Sequence, residues 1–350
     1  MLKKFDRMPP ARPDVRYLGK LYTKESQLLN DPAINALTEK FQTNEPFRDN
    51  NRLLQSSVRP GEDNFKIWRQ RTEEMPYEEI TIDRMPLHLT SNRNYLFLVD
   101  DEDNIVIYCI TSLNKFEYKN LYKMTNFTNI RGVGANIDYF AITYSDLPKK
   151  YLKSKKYKPH GCILFKRDTP DSINMETERI LANDIIKLPI GVALNNDYAF
   201  VCDKEARCVY KIDIRTNNVI KKVDVPNGEP YKIAINRNYM VLTDPAQHHL
   251  NIYEVETLAR LNNLLIEQPD GKNGPFGVAI TDDNIILAKN YAESQLTLFN
   301  FNLNDIFVFR KLKPNIHGFT MMQCFNQILV IGTIEKKNQF KLIWYSNVNS

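Results

Sequence analysis

The sequence predicts an all-β protein: a six-bladed β-propeller closed by an N-terminal strand, with a partly helical N-terminal extension. Three observations favour this fold class. A segment of apolar run, polar turn, apolar run and, in most copies, a terminal acid occurs six times along the chain. Most copies lie about 40–45 residues apart, a period typical of radially repeated sheets. Tyr and Phe, which favour strands, number 18 each, whereas only 12 of the 350 residues are glycine.

The repeat is clearest in residues 189–203, PIGVALNNDYAFVCD, where two Asn and an Asp separate the apolar runs. Aligning the other copies on Gly191 gives a column of equivalent residues that are 44, 59, 41, 45 and 41 positions apart. We call it the glycine column; it contains His88, Gly132, Gly191, Lys232, Gly277 and Gly318. Two copies therefore carry a large side chain where the others have glycine.

Each copy continues with further alternating runs, which predict a third and, in most copies, a fourth strand. The third runs are 105–110, 162–167, 208–214, 250–255, 296–302 and 340–345. The weaker fourth runs are 116–124, 219–225, 258–266 and 306–313. The sixth copy ends without a fourth run, while residues 77–84 alternate just before the first copy. We expect 77–84 to complete the sixth sheet, because this pairing closes the ring and removes an unpaired edge.

The stretches Gly191-Val192-Ala193, followed by Asp203, and Gly277-Val278-Ala279 resemble the NHL-repeat family of six-bladed propellers. The resemblance spans roughly residues 77–350. Gluconolactonase-like, paraoxonase-like and strictosidine-synthase-like propellers share the motif. The resemblance implies the fold and a binding face formed by loops, and some NHL-repeat proteins bind RNA. His88 and Lys232 depart from the pattern.

Residues 1–75 lack the repeat, so the sequence predicts an N-terminal extension over 1–75 and the propeller over 76–350. Residues 23–42 suggest one or two helices, with Thr23 as a cap and Asp31-Pro32 as a second helix start. The polar stretch 43–64 follows. We expect an arm that packs on the propeller, or an arm that folds on binding a partner.

Composition, net charge and cysteine content restrict the partners and the cellular compartment that we expect. The net charge of +5 permits an anionic partner without requiring one. Five scattered cysteines without a C-x-x-C pair predict neither a disulfide framework nor a structural zinc site. The sequence shows no signal-peptide core and no apolar run long enough to span a membrane. We expect an intracellular, soluble protein, cytoplasmic or nuclear, without a membrane partner.

In a propeller, the loops that enter the innermost strands and the loops that join the second and third strands share one face, here called the entrance face. The Asn- and Asp-rich turns between the first two strands lie on the opposite face, and we interpret them as structural because Asn and Asp suit tight hairpins. These turns are 92–94, 136–138, 195–197, 236–238 and 282–284.

The entrance face carries the candidate binding residues. Its longest loop, residues 144–161, is here called the Lys-rich insertion, and long loops in compact domains are often functional. Lysine attracts phosphate and tyrosine stacks on bases, so anion binding is one interpretation and a solvated loop the other. The insertion contributes Lys149, Lys150, Lys153, Lys155, Lys156, Lys158, Tyr151 and Tyr157. The loops around it contribute Arg84, Arg131, Lys187, Lys232, Lys272 and His317.

The sequence motifs that would indicate a catalytic or metal site are weak. A calcium site needs several inward carboxylates, and the starts of the innermost strands offer none. Asp100, Asp203 and Asp244 end second strands, where we interpret them as structural acids that fix the following loop. The pair His248-His249 has no partner at metal-binding spacing. We therefore predict no catalytic residue, metal or cofactor.

The sequence thus favours a non-catalytic scaffold or assembly subunit that binds a protein partner through entrance-face loops and the N-terminal arm. An RNA-binding propeller with a basic face is the first alternative, and a calcium-dependent lactonase-like hydrolase the second. No small-molecule substrate is expected.

Overall fold

Among the residues that the structure describes, repetition of the strand pattern produces six four-stranded antiparallel sheets. The computed structural model describes residues 77–345, except 93, 112–114, 126, 146–157, 226, 267–273, 283, 291–295, 301–304, 310–320, 326–327 and 337–338. All described residues belong to one unit, Pro60–Ser350. The helices predicted within the extension 1–75 lie outside the described residues, and the domain boundary at 75 stays a prediction.

The sheets follow one another along the chain, and each has a first strand on the inside. A single strand, β1 (Tyr77–Ile82), precedes them. Sheet 1 contains β2 (Pro86–Asn92), β3 (Tyr95–Asp100), β4 (Asn104–Ile110) and β5 (Phe116–Lys123). Sheet 2 contains β6 (Ile130–Ala135), β7 (Tyr139–Tyr144), β8 (Gly161–Lys166) and β9 (Asn174–Leu181). Sheet 3 contains β10 (Pro189–Leu194), β11 (Tyr198–Asp203), β12 (Cys208–Asp213) and β13 (Val219–Asp224).

The second half of the chain repeats this order. Sheet 4 contains β14 (Ile233–Ile235), β15 (Tyr239–Asp244), β16 (His249–Glu254) and β17 (Arg260–Leu265). Sheet 5 contains β18 (Pro275–Ile280), β19 (Ile285–Asn290), β20 (Leu296–Asn300) and β21 (Asp305–Phe309). Sheet 6 contains β22 (Met321–Phe325), β23 (Ile328–Lys336) and β24 (Gln339–Tyr345), with β1 as its outer strand.

The innermost strands form a closed ring around a central channel. Strands β2, β6, β10, β14, β18 and β22 contact one another in succession, and β22 returns to contact β2. This arrangement is a β-propeller, so the predicted all-β propeller class is confirmed. Over the described ranges, no helix is long and apolar enough to cross a membrane.

Strand β1 closes the ring as the sequence predicts. It pairs antiparallel with β24, with Tyr77 opposite Tyr345 and Ile82 opposite Phe340. The ammonium group of Lys341 lies 2.7 Å from the Glu79 carboxylate across this pairing. Sheet 6 therefore contains strands from both ends of the described chain.

The hydrophobic core lies between neighbouring sheets. Phe97 of sheet 1 packs against Phe140 of sheet 2, with ring centroids 5.3 Å apart. Phe200 of sheet 3 belongs to a buried cluster with Met240 and Tyr253 of sheet 4. Because the second and third strands are buried on both faces, their apolar runs are nearly continuous.

Two elements differ from the sequence prediction. Strand β9 was not predicted, because NMETERIL carries three charged residues that suit an exposed outer strand and hide the alternation. In sheet 6 the innermost strand begins at Met321, which pairs with Gly332, and the hairpin turn follows Phe325. Gly318, aligned with the glycine column, lies outside the described residues.

The sequence predicts no disulfide framework, and the cysteines whose side chains are described form no disulfide bond. Cys109, Cys162, Cys202 and Cys208 are free thiols. Burial raises the pKa of the Cys162 and Cys202 thiols. These two cysteines therefore act as small core residues, as the apolar runs around them predict.

Removing β1 tests the closure. We expect a chain that starts at residue 84 to lose roughly 3 kcal/mol or more of unfolding free energy, because several ladder hydrogen bonds disappear at about 1 kcal/mol each. A chain that starts at residue 60 keeps every described strand and serves as the control. Urea denaturation of both chains measures the difference, and equal midpoints would contradict closure by β1.

Candidate functional site

The described members of the glycine column, in sheets 1 to 5, lie where the innermost strands begin. In sheets 1, 2, 3 and 5 the pairing of the first two strands shifts register at this point, which is a β-bulge. A Cβ on Gly132 would overlap the carbonyl oxygen of Ile190, and one on Gly191 would lie 2.6 Å from that of Tyr231. Adjacent innermost strands therefore approach so closely that only glycine fits at these two positions.

The two residues that break the glycine column meet in the channel. The Lys232 ammonium group donates a hydrogen bond to Nδ1 of His88, at 2.8 Å. It donates a second one, also of 2.8 Å, to the carbonyl oxygen of Arg131. Sheets 1 and 4 are separated by two sheets on either side of the ring. Lys232 thus reaches across the channel to bind the opposite sheet.

The hydrogen bonds of His88 define its protonation. Its Nε2 donates to the carbonyl oxygen of Ile130 at 2.8 Å, which leaves Nδ1 as the acceptor for Lys232. Burial, followed by the charge of Lys232, holds the pKa of His88 well below its usual value. His88 is therefore a neutral imidazole at physiological pH.

Lys232 has an unusual charge environment. Burial, and then the positive charge of Arg131, lowers the pKa of its ammonium group to about 7. No carboxylate of the described residues forms an ion pair with it. A lysine in this state can serve as an ammonium donor to an anion or as a neutral amine at neutral pH.

A cavity of about 130 Å³ follows the channel beside this pair. Its polar lining residues include Thr90, Ser91 and the Lys232–His88 pair. The exposed wall is more polar than apolar, although apolar residues also line it, among them Val133, Val192, Val278, Leu194, Ile233 and Ile280. A small concave site with several convergent polar groups is a candidate for binding a small polar ligand.

The acids at the ends of second strands fix the entrance loops. Oδ2 of Asp203 accepts a hydrogen bond from the backbone N–H of Lys187 at 2.7 Å, and Oδ1 accepts one from Leu188 at 3.1 Å. Oδ1 also accepts from Ala206 at 3.0 Å. Asp100 and Asp244 likewise accept backbone N–H groups of nearby loops. We call Asp100, Asp203 and Asp244 the clamp aspartates, and their predicted structural role is confirmed.

Sheet 2 has Ser145 where a clamp aspartate would stand, and the acid comes from another loop. Asp103, between β3 and β4, accepts hydrogen bonds from the backbone N–H groups of Asn129 and Ile130 at 2.7 and 2.8 Å. Burial raises the pKa of Asp103. Sequence analysis missed this residue because it lies outside the repeated motif.

The entrance face contains the described members of the predicted binding set other than Lys232. Arg84 pairs with Asp100 and Glu102, and Arg131 donates to the hydroxyl of Ser145 at 3.0 Å. Lys158 donates to the carbonyl oxygen of Asn183 at 2.6 Å and lies 3.2 Å from Asp184.

Lys187 is exposed, whereas Lys232 points into the channel. Of the predicted set, the structure thus brings Lys232 close to the backbone of Arg131 and adds His88, which the prediction omitted. The remaining predicted residues, Lys149, Lys150, Lys153, Lys155, Lys156, Tyr151, Tyr157, Lys272 and His317, lie outside the described residues.

The three predicted turns on the opposite face that are fully described, 136–138, 195–197 and 236–238, are structural, as predicted. Oδ1 of Asn195 accepts hydrogen bonds from the backbone N–H groups of Asp197 and Tyr198. Asn136 and Asn236 make the same pattern in their own turns. Asn136 also donates to the carbonyl oxygen of Asn195 at 2.6 Å, which links neighbouring turns. Within the described part of the chain, no group of three or more His, Cys, Asp or Glu residues could hold a metal ion.

Comparison with known proteins supports the fold. No family model and no curated protein sequence matches the chain. Among solved structures, the β-propeller domain of Cps50 (Swd1) from Myceliophthora thermophila is similar, with a TM-score of 0.52 and 11% identity over 77% of this chain and 100% of that domain. Virginiamycin B lyase from Staphylococcus aureus has a TM-score of 0.48 and 13% identity over 77% of this chain and 98% of that one. The likeness to the Cps50 domain shows the β-propeller fold.

Replacing a clamp aspartate tests its role. We expect Asp203→Ala to cost about 2–4 kcal/mol of unfolding free energy, because three backbone N–H groups lose their acceptor. Asp203→Asn keeps one acceptor oxygen and should cost about half as much. Asp197→Ala, in an exposed turn, should change stability by less than about 0.5 kcal/mol. Urea denaturation measures the order, and equal losses for the three variants would contradict the clamp.

Lys232 should also give the fold a pH dependence. Its folded-state pKa lies below the unfolded value, so the unfolded chain binds more protons near neutral pH and stability rises with pH. Between about pH 7 and 8.5 we expect the wild type to gain roughly 1.5 kcal/mol relative to Lys232→Met. Denaturation of both proteins across this range measures the difference. A constant difference would show that Lys232 titrates normally.

Proposed function

We propose that the chain is a six-bladed, NHL-like propeller that serves as a non-catalytic binding module for a protein partner. The closed succession of six innermost strands and the bulge shared along the glycine column support this proposal. Its binding surface is the part of the entrance face formed by loop 182–188 and the adjoining Lys-rich insertion.

One observation supports the choice of this surface. Both described ends of the Lys-rich insertion, Tyr144 and Lys158, lie together, and the Tyr144 hydroxyl is 3.4 Å from the Lys158 carbonyl oxygen. Lys158 also binds Asn183 of loop 182–188. On that loop, the side chain of Ile185 is 46% exposed beside the exposed Lys187. An exposed apolar residue beside basic groups is typical of protein interfaces.

The charges of this face favour a protein over RNA. Arg84 is neutralised by Asp100 and Glu102, and Lys158 by Asp184. On the same face Lys204 lies 2.8 Å from Glu229. Mixed, internally paired charges weaken the attraction for a phosphate backbone, which depends on unpaired cations. RNA binding through the remaining lysines of the insertion is the alternative.

The hydrolase alternative has less support. The clamp aspartates, which end second strands in the repeat, accept backbone N–H groups of the loops. Their oxygen atoms therefore hold the scaffold together. Calcium-dependent thermal stabilisation of the full chain would favour this alternative.

A substitution at Ile185 tests the protein-binding surface. The tagged full-length chain is isolated from its native cells after cross-linking and nuclease treatment, and bound proteins are quantified by mass spectrometry. We expect Ile185→Asp to lower recovery of the partner about tenfold, equivalent to roughly 1.4 kcal/mol. Ile220→Asp is the matched control, because Ile220 is 55% exposed on β13, an outer strand.

A second variant distinguishes protein binding from RNA binding. It reverses five lysines of the insertion to Glu and keeps Lys158, which holds loop 182–188; the five are Lys149, Lys150, Lys153, Lys155 and Lys156. Nuclease-resistant partner recovery that depends on Ile185 supports the proposal. Recovery of RNA that is lost on charge reversal and falls steeply with salt would support the alternative instead. Equal recovery with Ile185→Asp and Ile220→Asp would overturn the proposed surface.

A further inference from the structure

The channel contains a positive charge that lacks a counter-charge among the described residues. Lys232 donates to His88 and to the carbonyl oxygen of Arg131, and both acceptors are neutral groups. His88 cannot accept a proton easily, because its Nε2–H is used by Ile130 and burial lowers its pKa. An ammonium group in a partly desolvated site is costly unless an anion is near. The third N–H of Lys232 has no acceptor among the described residues.

We propose that the central channel binds a small carboxylate through Lys232. This goes beyond the proposed function, which concerns the entrance face, and beyond the sequence analysis, which expected no small ligand. The ligand's carboxylate would accept the third N–H of Lys232, and Thr90 and Ser91 line the same cavity.

The cavity indicates the size of the ligand. Its volume of about 130 Å³ is close to that of an engineered cavity of about 150 Å³ that binds benzene. A carboxylate of about six non-hydrogen atoms or fewer therefore fits beside Lys232.

Binding should be coupled to protonation of Lys232. The groups that interact electrostatically with it are His88 of β2, Arg131 of β6 and Cys202 of β11, and the Tyr231 ring lies 5.4 Å from its Nζ. None of these supplies a negative charge at neutral pH, since burial raises the pKa of Cys202. Affinity should be greatest between about pH 5.5 and 6.5, where the ligand is an ionised carboxylate and Lys232 is protonated. It should fall about tenfold for each pH unit above the Lys232 pKa of about 7.

Calorimetry and thermal unfolding of the full-length chain test the site, with acetate as the probe at constant ionic strength. We expect saturable binding of acetate and a rise in the unfolding temperature. Acetamide, which matches acetate in shape but has no charge, should not bind. Equal effects of acetate and acetamide, or no saturable effect of acetate, would overturn the proposal.

Variants at Lys232 identify the group that binds. Lys232→Met keeps the length of the side chain and should weaken acetate binding at least tenfold. Lys232→Arg keeps a charge that does not titrate, so binding should persist while its loss above pH 7 disappears. Lys166→Met is the control, since Lys166 is exposed on β8 at the opposite face. Unchanged acetate affinity in Lys232→Met would rule out the site.

Discussion

The close approach of neighbouring innermost strands is the constraint on which the rest of the structure depends. At Gly132 and Gly191 the backbone of one sheet nearly touches a carbonyl oxygen of the next, so no side chain can stand there. Where the glycine column carries a side chain instead, at His88 and Lys232, the two side chains meet in the channel.

Much of the architecture can be predicted from the sequence because every repeat has the same pattern of apolar runs and polar turns. Alternating runs and Asn-rich turns identify most of the strands, and the unmatched run at 77–84 identifies the closing partner of β24. Strand β9 escapes prediction because an exposed outer strand needs no apolar pattern. The position of β22 is not predicted, because an alignment on one glycine does not determine the length of the turn that follows the strand.

The candidate sites are harder to predict for a different reason. Sequence analysis noticed that His88 and Lys232 break the column, but 144 residues separate them. Only the ring order shows that their sheets face each other. The clamp aspartates were interpretable from position, whereas Asp103 replaces one of them from an unrelated loop. The proposed sites thus lie at departures from the repeat, which can be interpreted only from the three-dimensional arrangement.

The pairing of β1 with β24 has a mechanical consequence. Tyr77 lies opposite Tyr345, so the N-terminal end of β1 and the C-terminal end of β24 lie at the same end of the ladder. A force that pulls the chain apart through these two ends would load the hydrogen bonds one after another, as in unzipping, and would not shear them together. Sheet 6 should therefore open at low force, while sheets 1 to 5, each made of strands from one continuous segment, keep their pairing. Tension on both ends of the chain would thus convert the ring into an open arc of sheets.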